Sequence, residues 1–84
     1  MNTSKLVGLN TKWYRYQLGL TQEKFSFITN YKVAYISTIE NGNSNITSNT
    51  IDFLAKSLKV KPKDLLDEET AKKALKLPNR VDKY

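Results

Sequence analysis

Four small side chains, those of Val33, Ala34, Ser37 and Thr38, lie close together near the middle of this 84-residue sequence. Hydroxyl groups can hydrogen bond to base edges, and methyl groups can contact the thymine methyl in the DNA major groove. Residues 33–41 contain no Arg or Lys, the residue types that most often contact guanine. If residues 33–41 form a helix that enters the major groove, these side chains form a base-reading face with a preference for A·T steps and some reliance on DNA shape. The predicted base-reading residues are Val33, Ala34, Ser37 and Thr38.

A second set of polar residues surrounds this face and could hold the DNA backbone. Gln22 opens the preceding predicted helix, where free backbone N–H groups also point outward. Phosphate contacts position a protein on DNA without reading its sequence. For the asparagines of this set, a simple role as loop formers is the alternative. The predicted backbone contacts are Gln22, Lys32, Tyr35, Asn41, Asn43 and Asn45.

Two short helices joined by a tight turn are predicted between residues 21 and 41. Thr21 is a good N-cap for the first of them, which should end near Thr29. Asn30 follows, and asparagine tolerates the positive φ that a turn between steeply crossed helices requires. The second helix should cover residues 33–41 and end at Gly42.

A β-hairpin is the rival interpretation of the same segment. Residues 35–39 are rich in strand formers, and the Asn41-Gly42 pair is a hairpin signal. However, Ile36 and Ile39 are three residues apart, which suits one face of a helix, whereas a strand would place them on opposite faces. The spacing therefore favours a helix-turn-helix, a motif that places one short helix in the major groove.

The remaining segments predict further helices and no strand. A first helix should cover residues 5–18 and end at Gly19, and Thr47 should cap a fourth helix with an apolar stripe that runs to Leu58. Pro62 suits the first position of a fifth, short helix. Residues 67–77 place acids first and lysines last, which favours a short additional helix before a loose tail. We predict a DNA-binding domain at 1–66 and a C-terminal extension at 67–84.

Composition removes most catalytic chemistry. The sequence has no Cys and no His, so thiol nucleophiles, disulfides, His acid–base catalysis and Cys/His zinc sites are absent. Its carboxylates are scattered, and no glycine-rich phosphate loop occurs. We expect no enzymatic activity, no cofactor and no metal. The N-terminal apolar stretch is broken by Gly8 and is too short to span a membrane, so we expect a cytoplasmic protein.

The formal net charge of +6 suits a protein that binds a polyanion. The charge is weak evidence by itself, because many small proteins are this basic. It is also spread along the chain, since residues 1–50 hold five bases and two acids, and residues 51–84 hold nine bases and six acids. Double-stranded DNA is the expected partner, and no basic tail dominates the interaction.

The order and spacing of one long run of residues resemble the phage-repressor (Cro/CI-type) helix-turn-helix family. The matching run contains Arg15, Gly19-Leu20-Thr21-Gln22, Phe25-Ser26, Ile36, Ile39-Glu40-Asn41-Gly42, Ile51, Leu54-Ala55, Leu58, Val60 and Leu65-Leu66. The resemblance covers roughly residues 7–66. It implies an all-α, compact five-helix repressor-like domain whose second and third helices form the motif. It also implies a homodimer that binds a palindromic operator and regulates transcription.

The resemblance suggests one structural role and shows three departures. Arg15 and Glu40 are expected to pair, which would tie the first helix to the end of the third. Asn30 stands where the family usually has Gly, Ser26 where Ala is usual, and Thr11 where an apolar core residue is common. The polar side chain of Thr11 puts the packing of the first helix in doubt.

Several alternatives stay open at this point. The chain could be an antitoxin with a toxin partner, a restriction–modification controller that autoregulates its operon, or a protein-interaction module that has lost DNA binding. The four small residues could merely cover a solvated helix face, and Val33 could be partly core. Phe27 and Ile28 are expected to be covered by first-helix residues such as Trp13 or by the C-terminal segment; otherwise they form an apolar patch. The expected dimer face contains Leu65, Leu66, Leu75 and Leu77.

Overall fold

The computed structural model describes residues 1–78, which form five α-helices and one 3₁₀ helix, with no β-strand in this part of the chain. The predicted all-α fold, with the helix-turn-helix in its second and third helices, is confirmed. The predicted fifth helix is the 3₁₀ helix, and the predicted additional helix is α5, while the expected tail at 79–84 lies outside the described residues. The helices are α1 (Thr3–Gln17), α2 (Gln22–Thr29), α3 (Val33–Glu40), α4 (Ser48–Leu58), the 3₁₀ helix (Pro62–Leu66) and α5 (Glu68–Ala74).

Side-chain caps fix where four of these helices begin. Thr21 and Thr47 accept hydrogen bonds from backbone N–H groups three residues later, at 3.1 and 3.2 Å, so both predicted caps are confirmed. Asn2 caps α1 in the same way at 2.9 Å, which is why α1 begins two residues before the predicted start. Asp67 caps α5 with a 2.8 Å bond from the N–H of Thr70. Each cap satisfies a backbone donor that the helix itself leaves unpaired.

The core has two parts, and α1 contributes to both. The main cluster joins Val7 of α1 to buried side chains from α2, α3, α4 and the 3₁₀ helix. The second, smaller cluster joins Leu9 of α1 to Ala71 and Ala74 of α5, with Trp13 packed against it. The main cluster consists of Val7, Phe25, Ile36, Ile39, Leu54, Ala55, Leu58 and Leu65. Because α5 buries its two alanines on α1, the C-terminal extension packs against the helix-turn-helix domain; the boundary at residue 66 remains a prediction.

Two polar residues of α1, Asn10 and Thr11, are buried in the core, and the burial of Asn10 was not predicted from the sequence. The two N–H groups of the Asn10 amide are shared among the backbone carbonyls of Leu6, Leu65 and Asp67, which lie 3.0, 3.1 and 2.9 Å from Nδ2. Asn10 thus ties the end of the 3₁₀ helix and the start of α5 to α1. Thr11 is fully buried, and its hydroxyl has no hydrogen-bond partner among the described residues. The unpaired hydroxyl of Thr11 is a local cost that the surrounding packing offsets.

The expectation that Phe27 and Ile28 are covered is wrong. Phe27 is 91% exposed and Ile28 is 52% exposed. The reason is helical geometry, because Phe25 and Thr29 form the inward side of α2 and are buried, which turns residues 27 and 28 outward. Trp13, which we expected to cover them, packs instead against the second core cluster, which contains Ala71 and Ala74 of α5.

Candidate nucleic-acid interface

The turn between α2 and α3 is closed by hydroxyl hydrogen bonds. Asn30 adopts a left-handed conformation, with φ 63° and ψ 16°, and its N–H donates to the carbonyl of Ser26 at 2.8 Å. The Thr29 hydroxyl donates to the Phe25 carbonyl at 2.8 Å and accepts from the N–H of Tyr31 at 3.1 Å. The Ser26 hydroxyl donates to the Tyr31 carbonyl. Two departures from the family pattern, Asn30 and Ser26, are therefore accommodated by the turn, since Asn tolerates this φ and the serine hydroxyl finds a partner.

The third helix buries one side and leaves the other open. Ile36 and Ile39 are buried in the main core, as their spacing predicted. On the opposite side, Ala34 and Thr38 are exposed and Ser37 is half-buried. Val33 is also half-buried, but it is not among the side chains packed against the main core cluster. An uncovered row of small side chains on a short helix can approach a duplex groove closely.

The two hydroxyls on this open side differ in what they can offer to a base. The Thr38 hydroxyl donates a 2.9 Å hydrogen bond to the Ala34 carbonyl, so its proton is already engaged within α3. Thr38 therefore remains mainly an acceptor, suited to an exocyclic amino group. The Ser37 hydroxyl makes no hydrogen bond to another described residue, so it can either donate or accept.

At its C-terminal end, α3 leads into a polar loop. Asn41 is the C-cap, and Gly42 at φ 75° donates its N–H to the Ile39 carbonyl, while the N–H of Asn43 reaches the Thr38 carbonyl, both at 3.0 Å. This pair of bonds is a Schellman motif, which favours glycine at the left-handed position. The side chains of Asn41, Asn43 and Asn45 are exposed and make no hydrogen bonds to other described residues. The loop thus carries three free amide groups beside the open side of α3.

A buried ion pair joins α1 to the end of α3. Arg15 Nε lies 2.6 Å from Glu40 Oε2, and Arg15 Nη2 lies 2.9 Å from Oε1, with side chains that are 2% and 3% exposed. Arg15 also donates to the Leu20 carbonyl at 2.7 Å, and the Gln22 amide donates to Glu40 Oε1 at 3.2 Å. Both carboxylate oxygens of Glu40 are therefore hydrogen bonded, and one N–H of Gln22 is directed inward. Gln22 has its second N–H and its carbonyl available for another partner.

Tyr35 packs against an aromatic pair beside α3. Its ring meets the edge of Tyr31 at 4.9 Å between centroids, and Tyr31 meets Phe53 of α4 at 5.3 Å. The pKa of the Tyr31 hydroxyl is raised above its ordinary value of 10.0, mainly by burial and to a smaller extent by the neighbouring Tyr35. Tyr35 is half-buried, whereas Lys32, the N-cap of α3, is exposed and makes no side-chain cap. Of these two predicted DNA-backbone contacts, Lys32 is thus the more accessible to solvent.

The described residues hold no acidic cluster that would suit a metal. Among residues 1–78 there is no group of three or more His, Cys, Asp or Glu side chains that could bind an ion. Within the same residues, no helix has both the length and the apolar character to cross a membrane.

Comparison with known proteins identifies the family. The helix-turn-helix family HTH_3 matches residues 12–65, a range that runs from α1 to the 3₁₀ helix. The chain belongs to this family. The predicted resemblance to Cro/CI-type helix-turn-helix proteins is therefore confirmed, and the fold is one that binds DNA in transcriptional regulators.

Two curated proteins and a solved structure illustrate what this helix-turn-helix protein is similar to. Control protein C.BamHI of Bacillus amyloliquefaciens is 43% identical over 51 residues, which are 61% of this chain and 63% of that protein. The chain thus spans less than two thirds of the length of that relative. The uncharacterized HTH-type transcriptional regulator y4dJ of Sinorhizobium fredii is 36% identical over 66 residues, 79% of this chain and 86% of that protein. Among solved structures, the restriction-modification controller protein C.AhdI from Aeromonas hydrophila has a TM-score of 0.67 at 27% identity, covering 74% of this chain and 94% of that one.

Proposed function

We propose that this helix-turn-helix protein is a sequence-specific regulator of transcription that binds double-stranded DNA through α3. The observation that carries the proposal is the open side of α3, where small methyl and hydroxyl side chains face solvent while Ile36 and Ile39 anchor the other side. The buried Arg15–Glu40 pair holds the end of this helix against α1, so the reading face is rigid before DNA arrives.

In this proposal each residue of the open side has a defined contact. Val33 and Ala34 contact thymine methyl groups, Ser37 donates or accepts a hydrogen bond, and Thr38 accepts one from an exocyclic amino group. No guanidinium or ammonium group is present on α3 to favour guanine. Half-sites should therefore be rich in A·T pairs. Selection from a random-site library tests this chemistry, and recovery of G-rich half-sites would contradict it.

Phosphate contacts in this proposal surround α3 on both sides. Lys32 supplies charge at the N-terminal end, and Asn41, Asn43 and Asn45 supply amide donors at the C-terminal end. Gln22 uses the N–H that Glu40 leaves free, and the Tyr35 hydroxyl adds a contact at the rim of its aromatic group. If one subunit engages about three to five phosphates, affinity should fall steeply as salt concentration rises.

A homodimer on a palindromic operator is the assembly that we propose. One domain of this size contacts a single half-site weakly, and two-fold symmetry doubles the contact when half-sites lie about one helical turn, roughly 34 Å, apart. Leu66 and Leu75 are exposed near α5 and Leu77 is half-buried, which supports this region as the dimer face. Leu65 does not belong to that face, because it is fully buried in the main core. Sedimentation of a Leu75→Ser variant tests the assignment, and an unchanged dimer would contradict it.

Control of a restriction–modification operon is the more specific candidate. It is favoured by the similarity to C.AhdI, which is named a restriction-modification controller protein, and to C.BamHI, which is named a control protein. A toxin partner or a loss of DNA binding has no comparable support. As a regulator the chain would act in the cytoplasm, without catalysis, cofactor or metal.

The decisive experiment is a nuclease footprint on the DNA immediately upstream of the chain's own gene. Protection of a two-fold symmetric site is the expected result. The matched control is Ala34→Glu, which places an acid on an exposed position of α3 and should abolish protection with little change in melting temperature. Equal protection by both proteins would show that α3 does not face the DNA. Co-purification of a neighbouring gene product would instead favour the antitoxin alternative.

A further inference from the structure

The outward side of α2 carries an apolar stripe in which Phe27 and Ile28 are exposed and Leu20 is half-buried. Phe27 and Ile28 lie at one end of the stripe, and Leu20 lies at the other, just before the helix begins. Glu23 and Lys24 lie between these ends, and all five residues line one shallow groove. Exposure of a whole phenyl ring beside two further aliphatic side chains is unusual for a small soluble domain and indicates an interaction surface.

We propose that this stripe binds the same stripe on a second copy of the chain, with the two α2 helices antiparallel. A two-fold axis that passes between residues 23 and 24 places Leu20 opposite Phe27 of the second copy. The same axis places Glu23 opposite Lys24 of the second copy, and each contact occurs twice. Four of the five residues of the stripe thereby meet a complementary one, apolar against apolar and acid against base, while Ile28 lies opposite Gly19 of the second copy.

The distribution of charge is what selects a second copy over a different partner. Glu23 and Lys24 are both exposed, and neither forms an ion pair with another described residue. A surface that recognises a strongly acidic or strongly basic partner would carry one sign of charge. Here the two signs are adjacent at the centre of the stripe, so a two-fold contact with a second copy pairs each charge with its opposite.

The α2 stripe is separate from the surfaces used in the proposed function. The inward side of α2, with Gln22, Phe25 and Thr29, faces the ion pair and the core, so the stripe points away from them. It is also distinct from the exposed leucines near α5. The contact therefore requires no DNA, and its failure in an experiment without DNA is distinguishable from a failure to bind an operator.

The first test is sedimentation equilibrium of the full chain in the absence of DNA, in the Leu75→Ser background so that the proposed contact near α5 does not contribute. Phe27→Ser should weaken self-association about tenfold or more, since Phe27 is the most exposed apolar side chain of the stripe and the two-fold contact buries it twice. Its melting temperature at low protein concentration should not fall, because the ring is 91% exposed in the isolated chain. Phe53→Ser, a change at an aromatic residue on α4, is the control and should leave association unchanged.

The second test exchanges the central charges. Glu23→Lys and Lys24→Glu should each weaken self-association, because each places like charges opposite each other across the axis. A mixture of these two variants should associate again, since the all-basic stripe then faces the all-acidic stripe. The chain with both changes should also associate as the wild type does. Asp52→Lys and Lys56→Glu on α4 reproduce the changes in net charge and should have no such effect.

These outcomes decide the inference. Restored association in the mixture supports the α2 contact, whatever the DNA-binding result. Association that is insensitive to Phe27→Ser and to both charge reversals would overturn it, as would a wild-type chain that stays monomeric at every concentration measured.

Discussion

Gly8 of α1 lies directly against the carbonyl oxygen of Ile39 in α3. A Cβ atom added to Gly8 would lie 2.1 Å from that oxygen and 3.1 Å from the carbonyl oxygen of Glu40. The two helices therefore approach as closely as backbones allow, and this approach brings Arg15, two turns further along α1, to Glu40. The position of α3 against α1 thus depends on residue 8 having no Cβ atom.

Gly8→Ala should destabilise the fold. The new methyl group would push α1 away from the end of α3, and we expect a loss of roughly 1–3 kcal/mol, although alanine is the better helix former. Urea denaturation measures the change. The control is Gly19→Ala, where φ is 69° but no atom lies within 4 Å, so only the cost of the left-handed conformation, about 1 kcal/mol, should appear. A stability gain in Gly8→Ala would contradict the close approach.

Glu40→Ala should lower the melting temperature strongly. The substitution strands the buried Arg15 guanidinium, for which we expect a cost of about 3–5 kcal/mol. Glu69→Ala is the control, because the Glu69–Lys72 pair is exposed and its loss should cost less than about 1 kcal/mol. Thermal unfolding followed by circular dichroism compares the two. Equal melting temperatures would mean that the Arg15–Glu40 pair contributes no more than a surface pair.

Asn30→Ala should destabilise the turn, whereas Asn30→Gly should not. Alanine at a φ of 63° costs about 1 kcal/mol or slightly more, and glycine adopts this conformation without strain. Chemical denaturation of the three proteins provides the comparison. If alanine and glycine gave the same stability, the left-handed conformation would not be the reason for asparagine at this position.

Lys32→Ala and Ser37→Ala should affect DNA binding in different ways. Removal of the Lys32 charge should weaken binding to all sequences and reduce the salt dependence of affinity by about one counterion. Removal of the Ser37 hydroxyl should leave the salt dependence unchanged and cost about 1–3 kcal/mol of discrimination at one base pair. Fluorescence anisotropy with operator and single-base variants separates the two effects. A sequence-dependent loss in Lys32→Ala would show that Lys32 reads a base.

Acidic pH should loosen α5. Hydrogen bonds from the hydroxyl and then the backbone N–H of Thr70 lower the pKa of Asp67 below its ordinary value of 3.8. A lowered pKa in the folded state means that the stabilisation is present above the ordinary pKa and is lost as pH falls through the folded-state pKa. Asp67→Asn keeps a capping side chain and removes the charge. The difference in melting temperature between wild type and Asp67→Asn should therefore shrink from about pH 6 to about pH 3; a constant difference would contradict this.

The amino-acid sequence by itself determined the helices of the motif and their order. The three-residue spacing of Ile36 and Ile39, the caps at Thr21 and Thr47 and the tolerance of Asn30 for a positive φ are local properties, so each could be predicted without knowledge of the fold. The small side chains proposed to read bases on α3 could likewise be predicted, because residue type and helix position are also local properties.

Only the tertiary structure decided which side chains are available. Local patterns do not determine what packs on the far side of a helix, so the exposure of Phe27, the burial of Leu65 and the inward bond of Gln22 to Glu40 could not be predicted. The three carbonyl contacts of Asn10 and the close approach at Gly8 join segments far apart in the chain. Such contacts depend on where whole helices cross, and that geometry is set by the packing of the entire core rather than by any one segment.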